Sequence, residues 1–136
     1  MKGAMNLALL DAHLSPQDID CIFANANSTD DADLIETEAI KEVFGNYAKD
    51  IPVTAIKSIV GESYSVSGGM SLAAACGALN EGFIPPTINL KEKDERCDLD
   101  YVANKPRNKK LSRIMINTFG PNGCNTSLIL GKIDAH

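Results

Sequence analysis

A β-type run from Val53 to Ile56 leads straight into the turn Lys57-Ser58-Ile59-Val60-Gly61-Glu62. Behind it lies the small-residue run Ser65-Val66-Ser67-Gly68-Gly69-Met70, within which an apolar helix, predicted from Ser67 to Glu81, begins. A strand that ends in a polar turn and feeds a helix belongs to α/β proteins. That junction is where they place ligands, because the N–H groups opening the helix are unpaired and its dipole favours negative charge or a carbonyl oxygen. Lys57 is either a site residue or a solvated loop charge, and spacing alone leaves both readings open. The helix is rich in Gly68, Gly69, Ala73, Ala74, Ala75, Gly77 and Ala78, which lowers its intrinsic stability. That composition makes sense for a helix buried on most sides, with other backbone coming close. Gly82 ends it, and Pro85-Pro86 prevents its resumption.

Upstream, residues 2 to 13 read as a helix with Leu7, Leu10 and Leu14 on one side and Ala4 and Ala8 filling it. Ser15-Pro16-Gln17-Asp18 resembles a capping arrangement around one tight turn. Ile19 to Ala24 reads as a buried strand containing Cys21. Asn25 to Asp30 is rich in turn and cap residues. The helix predicted from Asp31 to Phe44 has its apolar face at Ile35, Ala39, Ile40, Val43 and Phe44. Asp30, Asp31, Asp33 and Glu36 crowd its start and are read as complements to the dipole rather than a metal site. Gly45 is a natural residue to follow it.

Downstream of the second strand, Ile51 to Ile56, a short strand is predicted at Thr87 to Leu90. A charged, irregular stretch follows over 91–111, anchored by Tyr101 and Val102. Arg113 to Phe119 alternates, with Ile114 and Ile116 facing one way and Met115 the other. Thr126 to Ile133 is a final strand, and Gly120-Pro121-Asn122-Gly123 between them signals a turn. Helices between the early strands imply parallel pairing, and the last two strands a hairpin. One α/β domain over residues 1–136, with a mixed sheet packed against helices, is the expectation.

With 136 residues the chain is long enough for one core, and its 44% hydrophobic content is that of a globular protein rather than a membrane span. No signal pattern opens it, so a cytoplasmic location is expected. The net charge of −5 argues against nucleic acid as a partner. Lys105, Arg107, Lys109, Lys110 and Arg113 form a basic segment read as a solvated loop. The cysteines at 21, 76, 97 and 124 match no metal-ligand spacing; Cys21 and Cys76 read as buried small hydrophobes. His13 and His136 are poorly placed for acid–base work.

Several stretches resemble one family in order and spacing. Ala24 to Thr29 stands where β-ketoacyl synthases, the condensing enzymes of fatty-acid and polyketide assembly, carry N-A-H-G-T-S-T. Glu36-Thr37-Glu38-Ala39-Ile40 and Val43-Phe44-Gly45 match the helix after it. Lys57 to Glu62 stands in place of K-S-x-x-G-H. Gly68-Gly69, Ile84-Pro85-Pro86-Thr87-Ile88-Asn89 and Cys97-Asp98-Leu99-Asp100-Tyr101-Val102 follow. Asn117-Thr118-Phe119-Gly120, with Gly123 and Asn125, resembles N-S-F-G-F-G-G-x-N. The resemblance covers nearly the whole chain. It implies the C-terminal half of a thiolase-like fold, with a mixed five-stranded sheet that stacks on an N-terminal half. That other half carries the nucleophilic cysteine, so this chain is expected to be a fragment of a longer protein or a subunit completed by another chain. Its first residues fall inside a helix by family comparison.

Departures from the pattern carry as much information. The two family histidines act on the malonyl carboxylate and stabilise the developing enolate; here those positions hold Asn25 and Glu62. Asn25 can still donate a hydrogen bond but cannot become cationic near neutral pH. An ionised Glu62 opposes the negative charge the site would stabilise. Lys57 is kept, either in a catalytic role or in an ion pair with Glu62. Asn27 and Thr29 take the places of two hydroxyl residues that contact the carrier's pantetheine arm. Phe119 and Gly120 match the third motif, whereas Pro121 replaces a gating aromatic. The resemblance implies no cofactor and no metal, since substrates arrive on the phosphopantetheine of acyl carrier protein. The expected partners are that carrier and a ketosynthase or N-terminal half, in a homo- or heterodimer.

Three readings follow. The chain belongs to a non-catalytic, chain-length-factor-like subunit. Alternatively it belongs to a divergent acyltransferase, in which Asn25 supplies an oxyanion donor and Glu62 a base whose pKa is raised. Or it is a partial chain with no activity of its own.

Overall fold

The computed structural model describes residues 1–120 and 123–133. In chain order come helix α1 (Lys2–Asp11), strand β1 (Cys21–Phe23), helix α2 (Asp30–Phe44), strand β2 (Pro52–Thr54), a single helical turn α3 (Lys57–Val60) and helix α4 (Ser67–Glu81). Strands β3 (Phe83–Ile84), β4 (Asp100–Tyr101), β5 (Arg107–Asn108), β6 (Arg113–Phe119) and β7 (Asn125–Gly131) complete the chain. Five strands make one mixed sheet in the order β4-β2-β1-β6-β7. It is parallel from β4 through β6 and antiparallel where β7 returns. β3 and β5 form a small antiparallel pair apart from it.

The two faces of the sheet follow from alternation along β1 and β6. Ile22 and Met115 face α1 and α2, in a core with Met5, Ile40 and Val53. Cys21, Phe23, Ile114 and Ile116 face α4, packing on Ala75, Ala78 and Leu79. Burying each such large side chain stabilises the fold by about 1.5–3 kcal/mol. α4 ends as expected: Gly82 adopts a left-handed backbone, φ 73°, and its N–H returns to the Ala78 carbonyl.

Several expectations are corrected. α1 stops at Asp11, and its buried stripe is Met5 and Leu9; Leu7 and Leu10 are exposed. Spacing among three leucines was consistent with either stripe, and Met5 with Leu9, four apart, packs down. Ile35 is likewise exposed, and α2 buries Glu36 and Thr37 instead. Thr87 to Leu90 forms no strand, only an isolated bridge from Thr87 to Ala103. The fifth strand of the sheet is β4, supplied from within the stretch read as irregular.

The Lys57 turn is helical over four residues. Cys21 is buried, and desolvation pushes its thiol up to about 12, but Cys76 is exposed on α4. The basic segment is not simply solvated: Arg107 pairs with Asp100, and Lys109 donates to the Asp20 carbonyl at 2.8 Å. Pro121, Asn122 and His136 lie outside the described residues.

Candidate functional site

Asn25, Lys57 and Phe119 stand at the carboxyl ends of β1, β2 and β6. From β1 the chain crosses through α2 to β2 on one side, while β6 lies on the other. This is the topological switch point, where strand ends leave a crevice open. The Asn25 side chain lies at that point of the sheet, nearly buried. Its Oδ1 accepts from Lys57 Nζ at 3.0 Å and from the Phe119 N–H at 3.1 Å. Those two donors fix which way the amide is turned. Among the described residues its Nδ2 has no hydrogen-bond partner, so a donor is left over.

Lys57 Nζ also lies 2.9 Å from Glu62 Oε2. The other Glu62 oxygen accepts from Ser67 Oγ at 2.7 Å and from the Tyr64 N–H at 2.8 Å. Glu62 thus joins α3 to the first residue of α4. The Ser67 hydroxyl first, and Lys57 after it, hold its carboxyl down to about 2. The geometry pairs Glu62 with Lys57, whereas a general base is helped by a shift in the opposite direction.

Behind Asn25 stands Glu36, which sequence reasoning assigned to the helix dipole. It is wholly buried, and its carboxylate accepts from the N–H groups of Asn25 at 3.0 Å and Ala26 at 2.9 Å. Asn117 Nδ2 donates to it at 3.1 Å, and Ser127 Oγ in turn donates to Asn117 Oδ1 at 2.8 Å. Every partner of Glu36 is a donor, a set that suits the ionised form, although desolvation raises its pKa. The signal was available: Glu36, Ile40 and Phe44 are four apart, so the acid falls on the buried stripe of α2.

The loop clamped by Glu36 is bent. Ala26 and Ser28 take positive φ values of 34° and 62°, a region that disfavours side chains. Asn27 is exposed, and its Oδ1 accepts from the Thr29 N–H and hydroxyl. Thr29 lines a different space, a cavity of about 340 Å³ between the start of α2 and the loop before β4, bounded also by Ser28, Asp33, Val53 and Tyr101. The structure therefore brings Asn25, Lys57, Glu62 and Phe119 together. Asn27 and Thr29 stand in the neighbouring loop, and the Gly120 N–H closes the β6–β7 hairpin on Cys124 at 2.7 Å. Pro121 lies outside the described residues. Among the described residues no group of His, Cys, Asp or Glu is placed to hold a metal ion.

The architecture defines an α/β domain with its polar cluster at the switch point of a mixed sheet. Residues 1–91 match the family described as beta-ketoacyl synthase, C-terminal domain. The chain is 38% identical over 129 residues to 3-oxoacyl-[acyl-carrier-protein] synthase 2 of Coxiella burnetii, covering 95% of this chain and 31% of that protein. Among solved structures, the ishigamide ketosynthase/chain length factor superposes with a TM-score of 0.91 at 35% identity, over 95% of this chain and 32% of that one. A second, a type II polyketide acyl-carrier protein in complex with its ketosynthase bound to the hexaketide, gives 0.94 at 29% identity, over 97% and 32%. The chain belongs to the β-ketoacyl synthase family and has the thiolase-like fold of its C-terminal domain. It spans about a third of the length of these relatives.

Proposed function

We propose that this chain forms the C-terminal half of a protein that works in acyl-chain elongation on acyl carrier protein, in a non-catalytic, chain-length-factor-like part. The observation that carries this reading is the Lys57–Glu62 pair. The lysine at the family position is held at 2.9 Å by a carboxylate that replaces a histidine, while Asn25 replaces the other. Neither replacement supplies a cation for a developing enolate, and losing one such stabilising donor typically lowers the rate by about two to three orders of magnitude. The scaffold around them is intact, which fits a role in shaping a pocket beside an active ketosynthase.

An N-terminal half is the partner this reading requires. α4 supports it: Gly69, Ala73, Cys76, Gly77 and Asn80 lie exposed along one side, small enough for another backbone to approach. Structural relatives in which a ketosynthase stands with a chain length factor or a carrier protein support the same assembly. The divergent acyltransferase remains as a second reading because Asn25 Nδ2 is left as a donor at the switch point.

Mass spectrometry separates the two. The intact protein, alone and with an active ketosynthase, is given acyl and malonyl carrier protein. Condensation only in the mixture, with the acyl group on the ketosynthase, is the expected result. Acylation and condensation by the protein alone would overturn it.

A further inference from the structure

The cavity of about 340 Å³ between the start of α2 and the loop before β4 is separate from the polar cluster, since Asn25, Lys57 and Glu62 do not line it. Ligand cavities span about 300–1,000 Å³, so it suits a small molecule. Ala24, Ile40, Val53, Ala55 and Leu90 give it apolar walls. Two polar groups on those walls are acceptors without a full set of donors. Thr37 Oγ1 donates its one proton to the Asp33 carbonyl at 2.8 Å, so its 2.6 Å contact with the Tyr101 hydroxyl uses the tyrosine proton. The Tyr101 oxygen keeps a lone pair with which to accept. Asp33 Oδ1 is buried and has no hydrogen-bond partner among the described residues. A buried carboxylate oxygen without a donor is rare in native proteins. Burial pushes the Asp33 carboxyl up, against the pull of the Ser28 and Asn27 N–H groups. The charges around the cavity are also unbalanced. Asp94 is paired with Arg96 at 2.6 Å. Asp30, Asp33, Glu36 and Glu92 then stand against one lining cation, Lys93, whose Nζ is turned to the Leu99 carbonyl at 3.3 Å.

We infer that this cavity binds a small organic cation, a primary ammonium on a short apolar stem, with the nitrogen donating to Asp33 and Tyr101. Thr37 bonds to both residues and so holds them side by side. An ammonium brings three donors and a positive charge. A hydroxyl of the same size brings one donor and no charge. A carboxylate brings only acceptors and is repelled by the surrounding acids. The stem lies against the apolar walls and supplies the rest of the affinity. The inference goes beyond the acyl-carrier reading and does not depend on it.

Phenethylamine, 2-phenylethanol and phenylacetate share a stem and differ in the polar end, and they provide the test. Each is titrated calorimetrically into the intact protein near neutral pH, where the amine is cationic. The amine is expected to bind more tightly than the alcohol by at least about tenfold, the scale of one charge pair in a partly buried site, and the acid least of all. Asp33→Asn keeps the shape and removes the charge, so it is expected to abolish that preference and leave the alcohol unchanged. Should that variant fold poorly, Tyr101→Phe decides instead: it keeps the ring, removes one acceptor and should weaken the amine severalfold more than the alcohol. Equal binding of amine and alcohol, tighter binding of the acid, binding of none of the three, or an amine preference that survives the variant overturns the inference. None of these results bears on the acylation assay above.

Discussion

Lys57 and Glu62 meet at 2.9 Å across the turn that joins α3 to α4, and the same carboxylate receives the hydroxyl of Ser67, the first residue of α4. Because that hydroxyl and the lysine hold Glu62 down to about 2 from an ordinary 4.5, the turn gains its anchor only while Glu62 is ionised. A depressed carboxyl contributes stability that is fully present above its unfolded value and is lost as pH falls through its folded one. The window is therefore about pH 4.5 down to about 2. Carbon-13 NMR of the Glu62 carboxyl is expected to titrate near the lower figure. Ser67→Ala should move the midpoint up toward the ordinary value. A wild-type midpoint already near 4.5 would show that the latch does not form.

Glu36 is the more costly group to disturb. Its oxygens accept from Asn25, Ala26 and Asn117, and the side chain is buried. Glu36→Gln would set an NH2 against N–H donors and leave buried groups unpaired, at a cost of about 2–4 kcal/mol. Urea unfolding should show the midpoint falling with little change in slope, since the fold's buried surface is unchanged. The NMR signals of Asn25 and Phe119 should shift together, because the loop that Glu36 clamps also aims the Asn25 amide.

The contrast between these two carboxylates shows what was legible in the sequence. Strand β6, the ends of α4 and the parallel-then-hairpin order follow from alternation, helix spacing and turn residues, all local signals. Glu36 was misread because its position after three other acids looked like dipole compensation, while its burial depends on β1 and β6 arriving behind it. β4 escaped notice for the same reason. It is two residues long, and Asp100 and Tyr101 are strand only because β2 lies alongside. The Lys57–Glu62 pair was one of two open readings, since distance within a turn is set by its backbone and not by residue type. Thr29 and Phe119 were placed by family likeness alone, and the structure sets Thr29 on a separate cavity.

Backbone conformation makes a sharper prediction at two small residues. Gly82 has φ 73°, and a Cβ there would meet nothing closer than the Lys109 carbonyl oxygen at 3.9 Å. The cost of Gly82→Ala is then purely that of a left-handed alanine, about 1 kcal/mol, and Gly82→Asn should cost less. Ala26 already bears such strain at φ 34°. In Ala26→Gly the relief of about 1 kcal/mol is offset by the freer unfolded chain, so the net change should be near zero. Thermal unfolding of the three variants should rank Ala26→Gly above Gly82→Asn, and Gly82→Asn above Gly82→Ala. A Gly82→Ala variant as stable as wild type would contradict the left-handed assignment.

The adjacent glycines of α4 separate helix propensity from packing, and they test whether α4 has a partner. A Cβ on Gly68 would come within 3.2 Å of Thr118 Oγ1, whereas one on Gly69 would meet nothing within 4 Å. Alanine in mid-helix is worth about 0.5–1 kcal/mol over glycine, and Gly69 lies in the first turn of α4, so Gly69→Ala should stabilise the chain alone by no more than about 0.5 kcal/mol. At Gly68 the same gain is opposed by the Thr118 contact, and the net effect should be close to zero, because the threonine must give by a few tenths of an ångström. In the assembled protein the outcome at Gly69 should reverse. If the proposed N-terminal half packs its backbone along Gly69, Ala73 and Gly77, no room is left for a methyl group, and the variant should associate more weakly. Unfolding of the isolated chain and sedimentation of the assembly read these two effects separately. A Gly69→Ala variant that is stabilised alone and associates undiminished would mean that the small side of α4 is not where the other half sits.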